Sequence, residues 1–149
     1  MMQFGRRVAI FTLIDDRGRM LCQLRDSKPR YRPNMWGFFG GGIESGETPE
    51  QAVIREAREE LQIDLKPTFF GHYAIPRPED GPSRELFLFT ASLTWNLETL
   101  RSHQREGAEL GLFTIDEISQ LNMFWDDKRM LEDVAAKKAP KGTITLARE

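Results

Sequence analysis

Between Gly41 and Ile63 the chain reads GGIESGETPEQAVIREAREELQI, and no other run constrains the fold as much. Thr48-Pro49-Glu50-Gln51 is a helix start. Thr48 is placed to cap, Pro49 sits at the first helical position where its missing N–H is no loss, and Gln51 completes a capping box. At about 100° per residue, Val53, Ile54, Ala57 and Leu61 form one apolar stripe. Glu56, Glu59 and Glu60 form an adjoining acidic stripe, with Glu60 nearest the apolar edge and therefore the most shielded of the three.

Residues three and four apart are neighbours on a helix, so Glu56 lies beside both Glu59 and Glu60. Like charges so placed cost about 0.2–0.5 kcal/mol per exposed pair. A solvated helix offsets this with Glu four residues ahead of Lys or Arg, and no such pair exists here. Only Arg55–Glu59 has opposite signs at that spacing, in the weaker order. A Glu-rich surface helix is one reading of the pattern alone. The preceding Gly40-Gly41-Gly42 points to another, a backbone loop able to approach a ligand closely, with a cation to hold the acids together.

The run resembles the signature of the Nudix hydrolases, G-x5-E-x7-R-E-U-x-E-E-x-G-U with U apolar. Gly41, Glu47, Arg55, Glu56, Ala57, Glu59, Glu60 and Ile63 match it, eight of nine specified positions. The departure is Gln62, where the family has glycine. Either the helix runs on there, or a left-handed Gln62 costs about 1–2 kcal/mol.

The remaining chain suits one small domain of 149 residues. Val8–Ile14 and Met20–Leu24 read as a hairpin, and 26–34 as a proline-broken loop. Met35–Phe39 reads as a short apolar run delivering the glycines. Pro67–Ile75 and Leu86–Thr94 read as strands, with a loop over 77–83 between them. Asn96–Ala108 is a long polar connection, Leu110–Thr114 a short strand, Ile115–Gln120 and Phe124–Ala136 helices. The folded core is expected over about residues 1–137, with 138–149 a loose tail. Strands and helices without regular alternation favour a mixed sheet with helices on both faces. The resemblance implies the same, an α/β/α sandwich.

Composition removes several classes. A net charge of −2 supplies no global basic field, so no nucleic-acid partner is expected. Cys22 is the single cysteine, which excludes an internal disulfide; with two histidines it argues against structural zinc. The apolar run Val8–Ile14 is too short to span a membrane, and no cleavage site follows it. A cytoplasmic protein without a membrane partner is the expectation.

The resemblance implies Mg²⁺, with Mn²⁺ able to substitute, held by Glu56 and Glu60, with Glu59 contributing and the Gly40 carbonyl facing the ion. Hard oxygen ligands suit such ions, which keep several waters and share substrate phosphates. Arg55 is an organiser of the carboxylates or a phosphate ligand, and the resemblance favours the first, with Glu47 as its partner. Glu106, ahead of the last strand, is either a ligand or base of the family type or a solvated loop acid; Glu109 is the alternate. Glu59 and Glu106 are thus the candidate catalytic acids.

Arg25, at the end of the second strand, is placed for a phosphate contact. Lys28, Arg30 and Arg32 form either a basic rim or a solubilised loop, in a segment with eight Lys or Arg against three Asp over the first 32 residues. Phe38 and Phe39 should face opposite sides by strand alternation, one toward the cleft beside Gly41. Trp125 and Asp127 open the last helix, a region that lines the nucleoside pocket in the family, although core packing is the commoner fate of aromatics.

The function implied is hydrolysis of a nucleoside diphosphate linked to another group, foremost a nucleoside triphosphate cleaved to monophosphate and pyrophosphate. An NDP-sugar is the alternative substrate. A non-catalytic nucleotide-binding regulatory domain is the alternative class, though such relatives lose box glutamates. The partner is a small nucleotide, and monomer and homodimer both remain open.

Overall fold

The computed structural model describes residues 5–26, 33–76, 82–105, 107 and 109–147. Its centre is β1 (Arg6–Ile14), whose residues from Val8 to Leu13 are all buried. That continuous burial is what a strand covered on both faces requires. Along one edge β1 runs parallel to β6 (Arg84–Ser92), in register from Arg6↔Arg84 to Ile14↔Ser92. Along the other it pairs antiparallel with β4 (Phe39–Gly42) over Val8–Phe11, and with β2 (Met20–Leu24) at Ile14↔Met20. Outward from there, β2 carries β3 (Trp36–Gly37) and β7 (Glu109–Phe113), while β6 carries β5 (Thr68–Ile75).

Alternation along β1 sends Val8 and Ile10 to one face, and Ala9, Phe11 and Leu13 to the other. The second face is covered by α1 (Pro49–Leu61), which buries Ala52, Val53, Ala57 and Leu61, and by α2 (Leu97–His103). The first is covered by α3 (Ile115–Gln120) and α4 (Trp125–Ala135), through Ile118, Met130, Leu131 and Val134. Each large aliphatic side chain so buried contributes about 1.5–3 kcal/mol. The result is the expected α/β/α sandwich around a mixed sheet. No helix among the described residues is long and apolar enough to cross a membrane.

Three expectations are corrected. Gly40, Gly41 and Gly42 are not a loop but the body of β4, paired with Ile10, Ala9 and Val8. Gly40 has φ +137, and a Cβ there would collide with the Ala9 carbonyl oxygen; the glycines serve close strand approach. The polar connection after Asn96 contains α2, started by the Asn96 side chain accepting from Glu98 N at 2.8 Å and anchored by fully buried Leu100. The tail is not loose over its whole length. β8 (Thr143–Thr145) adds parallel to β5, Leu146 N donates to Ala74 O at 2.8 Å, and Leu146 is buried.

Candidate active site

The acidic helix is fixed at both ends. Thr48 Oγ1 accepts from Gln51 N at 3.1 Å and Gln51 Oε1 accepts from Thr48 N at 2.9 Å, the capping box read from the sequence. At the exit Gln62 is left-handed, φ 56 and ψ 41, and its N–H reaches Arg58 O at 3.0 Å. The turn that the family builds with glycine is kept here despite the side chain. It drops Ile63 and Leu65 into the core beneath α1.

Glu60 is the most shielded of the three glutamates, as the helical geometry predicts. Glu60 is 3% exposed, the Glu56 side chain 14%, and the Glu59 side chain 59%. The charge that sequence spacing did not supply comes from Arg55. Its Nε donates to Glu47 Oε2 at 2.7 Å and its Nη2 to Glu47 Oε1 at 2.9 Å, a two-pronged grip. Its Nη1 donates to Glu56 Oε1 at 2.9 Å and Glu59 Oε2 at 3.2 Å, and its Nη2 also to Gly42 O at 3.0 Å. One guanidinium thus ties three carboxylates to the end of β4. The Arg55 hydrogen bond, with a second from the Glu44 backbone, holds the Glu47 carboxyl down to about 2. The same pairing with Glu47 raises Arg55 further above its usual range. All its donors point at protein acceptors, the arrangement of an organiser.

Gly41 explains why the strand before the helix must be bare. A Cβ there would lie 2.5 Å from Glu56 Oε1, so only glycine lets the carboxylate sit against the backbone. Among the described residues no three His, Cys, Asp or Glu side chains are gathered into a finished ligand cage. Mg²⁺ needs no such cage, since it is commonly held by one or two carboxylates plus waters and phosphates. Glu56, beside the Gly41 backbone, and Glu60, one turn further along the helix, are a donor set that fits it.

Across β4 from this helix, on the α3/α4 side of the sheet, a pocket opens between β1, β4, β6 and the start of α4. Its walls are Gly40 and Gly41, Phe38, and the apolar Val8, Ile10 and Leu86; its polar lining is Arg6, Arg25, Arg84 and Asp127. Arg84 Nη2 donates to Asp126 Oδ2 at 3.3 Å, and both side chains are nearly inaccessible. Gly37 lets Asp127 approach, for a Cβ there would stand 3.0 Å from Asp127 Oδ2.

Of the residues singled out in the sequence, Glu56, Glu59, Arg55 and Glu47 are joined in one network, with Glu60 on the same helix. Gly40, Gly41, Phe38, Arg25 and Asp127 line the adjoining pocket. Phe38 and Phe39 do face opposite ways, Phe39 stacking on Phe11 beneath α1 at 5.6 Å between ring centroids. Trp125 is not part of the pocket lining; it packs on the apolar cluster under α4. Glu109 opens β7 at the surface. Glu106, Lys28, Arg30 and Arg32 lie outside the described residues. Arg6 and Arg84 were missed. Their signal was parity: Arg6 shares a face with Val8 and Ile10, and Arg84 with Leu86 and Leu88.

A family model described as NUDIX domain matches residues 3–134. The nucleoside triphosphatase NudI of Salmonella typhimurium is 36% identical over 90 residues, 56% of this chain and 63% of the relative. The same protein of Salmonella schwarzengrund is 34% identical over the same extent. The chain therefore spans 63% of the length of these curated relatives. Among solved structures, a MutT protein from Methanosarcina mazei superposes with a TM-score of 0.74 at 15% identity, covering 89% of this chain and 94% of that one. A MutT NUDIX hydrolase from Burkholderia pseudomallei gives 0.67 at 25% identity, covering 85% and 95%.

Proposed function

The chain belongs to the Nudix family, and from that premise we propose that it is a Mg²⁺-dependent hydrolase of nucleoside triphosphates, releasing nucleoside monophosphate and pyrophosphate. The observation that carries this is the junction of two surfaces at Gly40–Gly41. On one side stand Glu56 and Glu60; on the other opens the pocket lined by Arg6, Arg25 and Arg84. The nucleoside triphosphatases among the relatives support the choice of substrate.

Glu56 and Glu60 would hold the ion, with the Gly40 carbonyl beside them. When bound, it supplies neutralisation of the phosphate charge and a water of lowered pKa. Arg55 keeps Glu56 and Glu59 in place through its grip on Glu47. Arg25 and Arg6 draw the phosphates into the pocket and offset their charge. Phe38 and Asp127 meet the nucleoside. Glu59, the most exposed of the three acids, takes the proton from the attacking water.

The test is product identification after incubation of a panel of nucleoside triphosphates and sugar nucleotides with Mg²⁺. Monophosphate and pyrophosphate from a triphosphate, lost in Glu60→Gln, is the expected result. Equal and negligible turnover by wild type and Glu60→Gln on every substrate would leave a binding domain instead.

A further inference from the structure

Gln23 is a buried polar side chain that the site has not yet used. It is 5% exposed, on β2, and shares the α1 face with Leu21. Its Nε2 donates to the Phe38 carbonyl at 3.1 Å. A carbonyl can only accept, so this bond fixes which end of the amide is nitrogen. The other end, Oε1, is buried and has no hydrogen-bond partner among the described residues. Native structures seldom leave such an acceptor unfilled.

Phe38 is two residues ahead of Gly40, the backbone at the proposed metal face. Gly107 lies against Oε1, for a Cβ there would stand 2.9 Å from it and 2.8 Å from Leu24 O. Gly107 has φ +83, so the chain turns tightly at this point. Two residues earlier, Arg105 N donates to Glu60 O at 3.0 Å, pinning this segment to the last turn of the acidic helix. The Gln23 amide is therefore strung between the strand that presents Gly40 and the segment anchored on Glu60.

We propose that Gln23 is a positioning residue for the divalent cation, its amide oxygen accepting a hydrogen bond from a water carried by the ion at Glu56 and Glu60. Mg²⁺ and Mn²⁺ retain several waters when bound by few carboxylates, and each such water is a strong donor that needs an acceptor. Partners that orient metal ligands in this way are worth roughly 10–100-fold in metal affinity. The proposal rests on the metal-dependent reading above.

The experiment is Mn²⁺ titration of the full chain, followed by the electron paramagnetic resonance signal of free Mn²⁺, with the thermal midpoint recorded with and without the ion. Gln23→Met keeps the length and removes both the acceptor and the donor; Gln23→Glu keeps the acceptor and removes only the donor to Phe38. The expected result for Gln23→Met is a Kd raised about tenfold and a smaller ion-induced rise in midpoint. Gln23→Glu should bind at least as tightly as wild type. Should Gln23→Met not fold, Gln23→Asn withdraws the amide by one methylene and carries the same expectation as Gln23→Met. Wild-type Mn²⁺ affinity in Gln23→Met, or in Gln23→Asn where it stands in, with the ion-induced rise unchanged, overturns the proposal and leaves Gln23 a structural tie. Failure of the wild type itself to bind Mn²⁺ overturns the metal-dependent reading along with it.

Discussion

Arg84 and Asp126 meet at 3.3 Å beneath the pocket, one from the first residue of β6 and the other from the first turn of α4. Asp126 is 1% exposed and Arg84 9%. A buried pair is weak evidence of net stabilisation, but removing one partner strands the other charge. Asp126→Ala should lower the unfolding free energy by about 3–5 kcal/mol, read as a shift of the urea midpoint. A loss under about 1 kcal/mol would mean that the pair behaves as a solvated one.

Glu47 gives the site a pH signature. Its folded pKa, about 2, lies below the ordinary 4.5 because of the Arg55 hydrogen bond. A depressed acid stabilises the fold above its unfolded pKa, and that contribution is lost as pH falls toward the folded value. The stability difference between wild type and Glu47→Gln should therefore be constant above about pH 5. It should shrink between 4.5 and about 2. Urea midpoints of the two proteins across that range provide the check. A gap that widens on acidification would contradict the assignment.

Gln62 occupies a left-handed position that the family reserves for glycine. Gln62→Gly should relieve the strain, offset in part by the greater freedom of the unfolded chain. A net gain of about 0.5–1 kcal/mol is expected, visible as a raised thermal midpoint with an unchanged far-ultraviolet spectrum. A lowered midpoint would show that the side chain compensates for its backbone.

Glu59 and Glu60 differ in exposure by far more than their adjacency suggests, so their variants should fail differently. Glu60→Gln should lose Mn²⁺ binding and turnover together. Glu59→Gln should lower kcat by about 10²–10⁴-fold while Mn²⁺ affinity changes little. Steady-state rates beside Mn²⁺ titrations separate the two. Equal losses of affinity would assign Glu59 to the ion as well.

Much of this was legible in the chain because helix geometry is local. The 3.6-residue period marked Glu60 as the deepest of the three acids, and Thr48-Pro49-Glu50-Gln51 set the helix start. What could not be read is what comes from distant strands. Arg6 and Arg84 become neighbours only through the parallel register of β1 and β6; parity within each strand gives the face but not the partner. Gly40–Gly42 reads as a loop until its pairing with Ala9 and Ile10 is known. α2 was legible in principle, from Asn96 as a cap and Leu97 and Leu100 at helical spacing, but seven residues carry little periodicity. β8 is three residues long and owes its existence to a free edge on β5.

The pairing of β1 with β6 has a kinetic consequence. Arg7 and Glu85 meet across 78 residues of chain, and every partner along that seam is equally remote. Such closures are entropically late, and they slow refolding into the range of milliseconds to seconds typical of non-local topologies. During synthesis the acidic helix emerges well before the strand that completes the middle of the sheet. A nascent chain therefore carries its glutamates in solvent, and the depth that separates Glu60 from Glu59 is acquired only when the two halves of the molecule join.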